Sequence, residues 1–343
     1  VEWQFRVAAG EALPLKQSAI KLSGHAIEAR LCTEDPVRDF RPSAGRIALF
    51  EPASGEALRI ETGIETGSEV PPFYDSMVAK LITSGPDRET ARARLVSGLR
   101  ETVLAGPQTN ARFLTSLLED DGVKAGRMDT GLIGREIARL TAAPELRPVA
   151  ELGALHLVEA ARDAVLAARA PHVGGWRSPW DAGDGFQLGS ERRQTVKVLA
   201  DGEPLTFDLW WRDEGPVVPV MASNRPEDTG TLANAHVIED GDRVLIIADM
   251  LQTEVAWPIY DPSSVEDEGG GTLRAPINGR VAKMYVTPGA TIAKGDRVAV
   301  VEAMKMEHVV TAPRDGTIAS VGAKEGDQVV QGTPLATLAE AQS

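Results

Sequence analysis

The spacing of apolar residues predicts a mixture of strands and helices over residues 1–143. Ile27, Ala29 and Leu31 alternate with polar residues, which is the period of a strand that buries one face. Further along, Asp87 can cap a helix and Gly106 can end it. The apolar stripe that this helix would bury recurs every fourth residue, at Ala91, Leu95, Leu99 and Val103. We interpret this helix as scaffold.

From residue 145 the pattern becomes that of one long helix followed by many strands. The helix is predicted over residues 145–169, with apolar residues at helical spacing: Leu146, Val149, Leu152, Leu155, Val158, Val165 and Leu166. Alternating runs that predict strands follow at 195–200, 204–211, 217–221, 233–238, 243–249 and 253–259. A curled antiparallel sheet around the helix would bury its apolar surface and remove sheet edges. We therefore predict a helix enclosed by an antiparallel β-barrel.

An internal repeat with a shift of 37 residues runs through the end of the chain. Its two copies share an alanine, a proline and three glycines, which are Ala275, Pro276, Gly279, Gly289 and Gly295 in the first copy and Ala312, Pro313, Gly316, Gly326 and Gly332 in the second. Short β-type runs recur in each copy, at 280–286 and 297–301, then at 317–321 and 334–338. The repeat predicts two units of about four strands each that close face to face as a two-fold flattened β-barrel.

Two changes in the pattern mark domain boundaries. Acidic residues 266–268 are followed by three glycines, Gly269 to Gly271, a composition typical of a flexible linker. Near Pro144 one helical pattern stops and another begins. Because 343 residues exceed what one compact core usually holds, we predict a multidomain α+β protein. Its domains are the first domain (1–143), the middle domain (144–268) and the third domain (269–343).

Composition narrows the possible partners. The 50 acidic and 36 basic residues give a formal net charge of -14, which disfavours binding to nucleic acid or to an anionic membrane surface. No apolar run approaches the ~20 residues that a membrane span needs. Cys32 is the only cysteine, as expected in a reducing compartment. The chain starts at Val1 without an initiator methionine or a secretory pattern, so we expect it to be part of a longer protein.

Lys305 is the candidate for chemistry in the third domain. It lies between the two copies of the repeat, in the run from Glu302 to His308, and is flanked by Met304 and Met306. An ordinary solvated lysine in a turn is the alternative interpretation. Flexible apolar side chains at an exposed tip favour recognition by another protein over packing, so we expect both methionines to be exposed. The five histidines are scattered along the chain and predict no metal site.

The run around Lys305, taken with the repeat, resembles the biotin carboxyl carrier domains of biotin-dependent carboxylases. Lipoyl carriers share the two-fold barrel but usually flank their lysine with an aspartate and a small residue. Methionines such as Met304 and Met306 are what biotin protein ligases select. The resemblance implies that biotin is attached covalently to Lys305, with the two methionines as recognition residues. The tethered biotin would carry carboxylate from one active site to another, at high effective concentration.

The first domain resembles the C-terminal part of a biotin carboxylase domain, through residues 24–30, 34–36, 42–46 and 70–82. The resemblance implies that Arg30 is catalytic and steadies the biotin enolate, a role suited to a fixed guanidinium. On the polar face of its strand, Arg30 is expected to point toward an active-site cleft. A solvated arginine paired with Glu28 is the alternative. We expect residues 73–75 and Lys80 to serve packing or interfaces. Arg41 departs from the family, which usually has leucine there.

The order of the domains resembles the biotin-bearing alpha subunits of acyl-CoA carboxylases, most closely the 3-methylcrotonyl-CoA type. Propionyl-, acetyl- and geranyl-CoA carboxylases are alternatives, as is a non-catalytic carrier and assembly scaffold. The resemblance implies a hetero-oligomer with a carboxyltransferase beta subunit, which would bind the acyl-CoA, and modification by biotin protein ligase. ATP, bicarbonate and Mg or Mn would serve the complete protein. Nothing in this sequence resembles an ATP-grasp nucleotide site, so we expect the chain alone to be inactive.

Two remaining expectations concern a segment of the middle domain and the cellular location of the protein. His172, Trp176 and Trp180 occur in a segment rich in proline and glycine and are interpreted as packing or interface residues, not as metal ligands. The resemblance implies a cytoplasmic location in a bacterium, or the mitochondrial matrix in a eukaryote.

Overall fold

The computed structural model describes residues 1–143, 145–167, 192–212, 215–217, 232, 234–258, 271–304 and 306–339. Several features predicted from the sequence lie outside these ranges. They are Lys305, the boundary at Pro144, residues 218–221 of a predicted strand, residues 266–270 of the linker and the segment that holds His172, Trp176 and Trp180. The boundaries of the three domains therefore remain predictions.

The first domain is a mixture of short strands and helices. Its elements are, in chain order, α1 (Glu2–Ala8), β1 (His25–Cys32), β2 (Glu34–Asp35), β3 (Arg41–Pro42), β4 (Gly45–Arg46), β5 (Leu49–Glu51), β6 (Leu58–Thr62), β7 (Glu69–Val70), β8 (Met77–Gly85), α2 (Arg88–Glu101), β9 (Val103–Ala105), α3 (Ala111–Leu118), α4 (Asp121–Lys124) and α5 (Leu132–Leu140). Single 3-10 turns lie at Gln17–Ala19 and Pro36–Arg38. Strands β1, β8 and β6 form an antiparallel sheet in that order, and α2 packs on it.

Strand β1 has the predicted alternation. Ala29 and Leu31 are buried and Ile27 is half-buried, whereas Glu28 and Arg30 are exposed. Leu31 packs in the first domain's core with Leu81, Leu95 and other apolar residues. The period of the sequence was therefore sufficient to assign the two faces of this strand.

Helix α2 begins as predicted but ends earlier. The Asp87 carboxylate accepts a hydrogen bond from the Thr90 amide at 2.7 Å, which caps the helix. The prediction that Val103 continues the helical stripe and that Gly106 ends the helix was wrong. The helix stops at Glu101, and Val103 opens β9, which pairs with β5. Strand pairing overrides the periodicity here because Val103 is β-branched and gains a ladder partner.

The middle domain packs one helix against a six-stranded antiparallel sheet. Its elements are α6 (Leu146–Ala167), β10 (Arg192–Ala200), β11 (Glu203–Arg212), β12 (Gly215–Val217), β13 (His236–Asp240), β14 (Arg243–Ala248) and β15 (Leu251–Ala256). The strand order is β12-β11-β10-β15-β14-β13. Helix α6 contacts β10, β11, β12, β14 and β15. The single long helix and its sheet agree with the sequence, whereas closure of the sheet into a barrel remains a prediction.

The buried face of α6 differs from the predicted stripe. Val149 and Val158 are buried, but Leu152 and Leu155 are half-buried and Val165 is exposed. Small residues occupy much of the contact with the sheet, because Ala150, Gly153 and Ala154 are buried. A Cβ at Gly153 would lie only 2.6 Å from a methyl carbon of Val255. The helix therefore approaches the sheet closely at Gly153, which spacing alone does not reveal.

The third domain consists of two four-stranded sheets. Its strands are β16 (Thr272–Arg274), β17 (Gly279–Met284), β18 (Thr291–Ile292), β19 (Arg297–Ala303), β20 (Met306–Thr311), β21 (Gly316–Val321), β22 (Gln328–Val329) and β23 (Pro334–Leu338). The sheet orders are β16-β23-β21-β18 and β20-β19-β17-β22. The repeat shift of 37 residues superimposes β17 on β21, β18 on β22, and β19 on β23 along the sequence. It therefore exchanges the two sheets, as two-fold symmetry requires.

The repeated glycines form equivalent turns. Gly289 and Gly326 have φ of 86° and 91°, and Gly295 and Gly332 have φ of 90° and 86°. These left-handed conformations suit glycine, because a Cβ would add strain. The repeat in the sequence is thus also a repeat in the backbone. Within the described ranges, none of the helices has both the length and the apolar character that a bilayer span requires.

Candidate functional site

The hairpin formed by β19 and β20 carries the residues on either side of Lys305. Its antiparallel register pairs Val301 with His308, Glu302 with Glu307, and Ala303 with Met306. Lys305 itself lies outside the described residues. Met304 has a φ of 45°, the left-handed conformation that a non-glycine residue adopts mainly in tight turns. The site is therefore at the end of a paired two-stranded arm.

The two methionines of this hairpin differ in their surroundings. Met306 is 38% exposed, as predicted from its position beside Lys305. Met304 is only 6% exposed, so the expectation that both methionines are exposed was wrong for Met304. Its side chain belongs to the buried cluster of the first domain, which also contains Leu31 and Val70. The sequence could not indicate this because the partners are distant along the chain.

The backbone of Met304 is also held by the first domain. Its amide donates a hydrogen bond of 2.7 Å to the carbonyl oxygen of Pro72. Pro72 lies between β7 and β8, in one of the segments that resemble a biotin carboxylase. The tip of the third domain is therefore docked on the first domain through a backbone and a side-chain contact of one residue.

His308 lies on β20 near the same contact. Burial, followed by the Arg41 guanidinium, lowers the pKa of His308 below its usual 6.5, and Asp39 opposes this effect. The His308 Nε2 atom is buried and has no hydrogen-bond partner among the described residues. Both Arg41 and Asp39 belong to the first domain, so docking places a cation beside this imidazole.

Arg30 lies on the exposed face of β1, opposite Lys80 on β8. Its Nε is 3.7 Å from Oε1 of Glu28, and the Arg30 side chain is 69% exposed. The guanidinium is accordingly a solvated group with a neighbouring carboxylate, as the alternative interpretation had it. Its role toward biotin and its predicted orientation into an active-site cleft remain predictions.

Asn110 holds the strand that carries Arg30, a role that the sequence analysis missed. Its side chain donates to the carbonyl oxygen of Arg30 at 3.2 Å and accepts from the Cys32 amide at 3.0 Å. Its own amide donates to the Cys32 carbonyl at 3.1 Å. Asn110 is 7% exposed. Its only sequence indication was a position just before α3, which is typical of a helix cap.

The other predicted interface residues lie near this site. Phe73 and Tyr74 are 59% and 73% exposed, directly after Pro72, which is consistent with an interface. Lys80 is half-buried on β8.

Cys32, at the end of β1, has a pKa raised to about 11, mainly by burial and then by the charge of Glu34. It is therefore a thiol at neutral pH and not a nucleophile.

Two family models match the chain. Residues 28–135 match the biotin carboxylase C-terminal domain, and residues 271–338 match the family described as biotin-requiring enzyme. The first match contains Arg30, Asn110 and most of the first domain. The second contains the whole described part of the third domain except its last residue.

Relatives match along nearly all of the chain. The alpha subunit of mitochondrial methylcrotonoyl-CoA carboxylase from Rattus norvegicus is 31% identical over 99% of this chain and 50% of its own length. The alpha chain of mitochondrial propionyl-CoA carboxylase from Homo sapiens is 29% identical over 98% of this chain and 49% of its own. This chain thus spans about half the length of the curated relatives it matches.

A solved structure, the biotin carboxylase subunit of pyruvate carboxylase, is 35% identical over 42% of this chain and 32% of its own length, with a TM-score of 0.40. The sequence matches carry the assignment. Residues 28–135 match the biotin carboxylase C-terminal domain and residues 271–338 match the family described as biotin-requiring enzyme, within a chain homologous to methylcrotonyl-CoA and propionyl-CoA carboxylase alpha subunits.

Proposed function

We propose that this chain is part of the biotin-bearing alpha subunit of a biotin-dependent acyl-CoA carboxylase, with biotin attached to Lys305. The observation that carries the proposal is the third domain, in which two symmetry-related sheets pack together and the β19–β20 hairpin of one sheet has Met304 and Met306 at its end. The 3-methylcrotonyl-CoA type is favoured, because six of the relatives reported at 29–31% identity bear that name. Propionyl-, acetyl- and geranyl-CoA carboxylases are the alternatives.

The residues of the hairpin fit a covalent biotin. Ala303 pairs with Met306, so the turn that contains Met304 and the attachment position is held between two paired strands. The β19 strand is buried at Val298, Ala299, Val300 and Val301, which fixes the arm to the core of the third domain. When bound, biotin would supply the carboxyl-accepting nitrogen of its ureido ring. The chain would supply the rigid arm that presents this ring.

Arg30 is the proposed catalytic residue of this chain. Its backbone is held by Asn110 and by the pairing of β1 with β8, and its exposed guanidinium lies 3.7 Å from the Glu28 carboxylate. A guanidinium keeps its charge at any relevant pH and can donate hydrogen bonds to a developing oxyanion. ATP, bicarbonate and Mg or Mn would serve the reaction of the whole carboxylase, and we propose that the 343 residues alone do not hydrolyse ATP.

The middle domain is proposed to join this subunit to a carboxyltransferase beta subunit, which would bind the acyl-CoA in a hetero-oligomer. Support comes from its architecture, since the long helix α6 and a six-stranded sheet contain a buried apolar core of their own. We propose that the sheet curls around α6 into a barrel, which would protect its edges.

Peptide mass spectrometry of the chain after incubation with biotin protein ligase, ATP and biotin tests the attachment site. One biotinyl group is expected on Lys305, and a Lys305→Arg variant should incorporate none. Biotin on another lysine, or a lipoyl group at this position in the cell, would contradict the proposal.

The joining role is tested with paired substitutions on α6. Val158→Asp places a carboxylate at a position that is 6% exposed, whereas Val165→Asp changes one that is 58% exposed. A buried unpaired charge costs several kcal/mol, so the first variant should lose co-elution with the beta subunit in gel filtration. The second variant should co-elute normally, and both should still be biotinylated. Normal co-elution of Val158→Asp would show that this domain is not the joining element.

A further inference from the structure

The contact between the tip of the third domain and the first domain covers one of the two methionines beside Lys305. Met304 donates its amide proton to Pro72 and buries its side chain in the cluster of the first domain. Met306, on the same hairpin, is 38% exposed, against 6% for Met304. The contact therefore separates two side chains that an undocked hairpin would present together.

A second contact region supports the same arrangement. Residues 41–44 of the first domain line a cleft together with residues 276–278 and Gln331 of the third domain. Arg41 also lies close enough to His308 to influence its charge. We call residues 39–44 and 70–72 of the first domain the tip-docking surface. It meets the third domain at two places, the end of the hairpin and the turns at 276–278 and 331.

We propose that the tip-docking surface controls when the third domain can be modified, because a docked tip is not a substrate for biotin protein ligase. The proposal rests on the proposed function, in which a ligase recognises the residues beside Lys305. An enzyme that must reach the backbone and side chain of Met304 cannot do so while the first domain covers them. Biotinylation would then require the third domain to undock, or would precede docking.

The expected change in the rate of biotinylation follows from the fraction of molecules in which the tip is undocked. If only the undocked form is competent, the apparent rate constant for biotinylation falls in proportion to the fraction undocked. A variant that abolishes docking should therefore be biotinylated faster than the parent chain, by a factor equal to one divided by the parent's undocked fraction. Since the proposal needs the docked form to predominate, we expect an increase of about threefold or more.

Ala44→Glu is the variant that should undock the tip. Ala44 packs against the cluster that contains Met304 and lines the cleft shared with the third domain. Ala57→Glu is the matched control, because Ala57 is also a half-buried alanine of the first domain but lines a cleft formed by that domain alone. Gln331→Arg is a second undocking variant. It adds a cation opposite Arg38 and Arg41 at an exposed position outside the hairpin.

The first measurement is oxidation of the full chain by dilute hydrogen peroxide, with Met304 and Met306 quantified by peptide mass spectrometry. Oxidation of methionine follows exposure, so Met304 should react at least about fivefold more slowly than Met306 in the parent chain and in Ala57→Glu. In Ala44→Glu and Gln331→Arg the two rates should become similar. Equal rates in the parent chain would overturn the docked arrangement.

The second measurement is the initial rate of biotin incorporation by biotin protein ligase. The two undocking variants should be modified faster than the parent chain, and Ala57→Glu at the parent rate. If Met304 is protected but all four proteins are modified equally fast, docking does not control modification and the inference is wrong. If Met304 is protected and none of the four is biotinylated, the proposed function fails, and the control of biotinylation falls with it.

Discussion

Cys32 illustrates how the surroundings of one residue determine its chemistry. Cys32 is half-buried, and Glu34 adds a negative charge nearby, so its pKa rises to about 11. Ser76 lowers the pKa through a hydrogen bond, but its hydroxyl also donates to Glu34 at 2.5 Å. The sequence showed only a lone cysteine, whose reactivity depends on neighbours that the fold assembles.

We predict that Cys32 reacts with iodoacetamide at about pH 8 roughly a hundredfold more slowly than a free cysteine, because the thiolate fraction falls about tenfold per pKa unit. Glu34→Gln should increase the rate, since it removes the charge that raises the pKa. Mass spectrometry of timed samples measures both rates. A parent chain that reacts as fast as free cysteine would contradict the burial of this thiol.

His308 gives the docked arrangement a dependence on pH. Burial and Arg41 lower its pKa below 6.5 in this structure, with Asp39 acting in the opposite direction. The undocked hairpin should bind a proton more readily, because it loses the burial and the Arg41 charge that lower this pKa, and these outweigh the loss of Asp39. Docking should therefore be complete above about pH 6.5 and weaken as the pH falls through and below that value.

The prediction is that the protection of Met304 relative to Met306 decreases between about pH 7.5 and about pH 5.5. His308→Gln, which cannot be protonated, should keep the same protection across this range. Peroxide oxidation with peptide mass spectrometry provides the measurement. Protection that increases on acidification would show that the sign of this effect is wrong.

At the scale of the element, α6 shows that the size of the buried residues matters as much as their spacing. Its contact face contains Ala150, Gly153 and Ala154, all buried. An added Cβ at Gly153 would lie 2.7 Å from Cβ of Val255 and 3.0 Å from Cδ1 of Ile246. Because Cβ of Val255 is close to its own backbone, it cannot move aside without shifting β15. Gly153 thus sets how near the helix lies to the sheet.

We predict that Gly153→Ala lowers the free energy of unfolding of the middle domain by about 1–2 kcal/mol, since overpacking outweighs the gain in helix propensity. Gly134→Ala in α5 is the control. Nothing lies within 4 Å of its added Cβ, so it should stabilise by about 0.5–1 kcal/mol. Chemical denaturation followed by circular dichroism distinguishes the two. A stabilised Gly153→Ala would show that the contact relaxes easily.

At the scale of the whole molecule, the first and middle domains share a polar and an apolar contact. The Gln252 side chain accepts from the Gly106 amide at 2.8 Å and donates to the Gly106 carbonyl at 2.7 Å. Beside it, Val103 and Ala105 of β9 pack with Leu245 and Ile247 of β14. A primary amide can accept from the N–H and donate to the C=O of the same residue. The two domains are therefore joined by paired hydrogen-bonding groups as well as by buried apolar side chains.

Replacing Gln252 by glutamate should test this joint, because Glu keeps the size but loses the amide donor. Gln252 is 7% exposed, and an unsatisfied buried polar group costs about 1–3 kcal/mol. We predict a corresponding loss of stability and faster proteolysis between the domains. Gln194→Glu is the control, since the Gln194 side chain accepts a bond from Trp211, which a carboxylate also does. Equal stability of the two variants would contradict the role of Gln252.

The sequence by itself determined the features that depend on neighbours along the chain. The alternation in β1, the Asp87 cap and the repeat of the third domain were predicted because strand period, capping and glycine turns are local properties. The candidate Lys305 followed from its position between the repeats, which needed no tertiary contact.

Only the tertiary structure decided which of these surfaces are covered. The end of α2, the small-residue face of α6, the clamp of Asn110 on β1 and the burial of Met304 against the first domain all depend on residues that lie far apart in the sequence. Packing is a property of close-fitting volumes and paired polar groups. A pattern of apolar and polar letters contains neither the distance between two elements nor the identity of the partner, so these contacts appear only when the chain is folded.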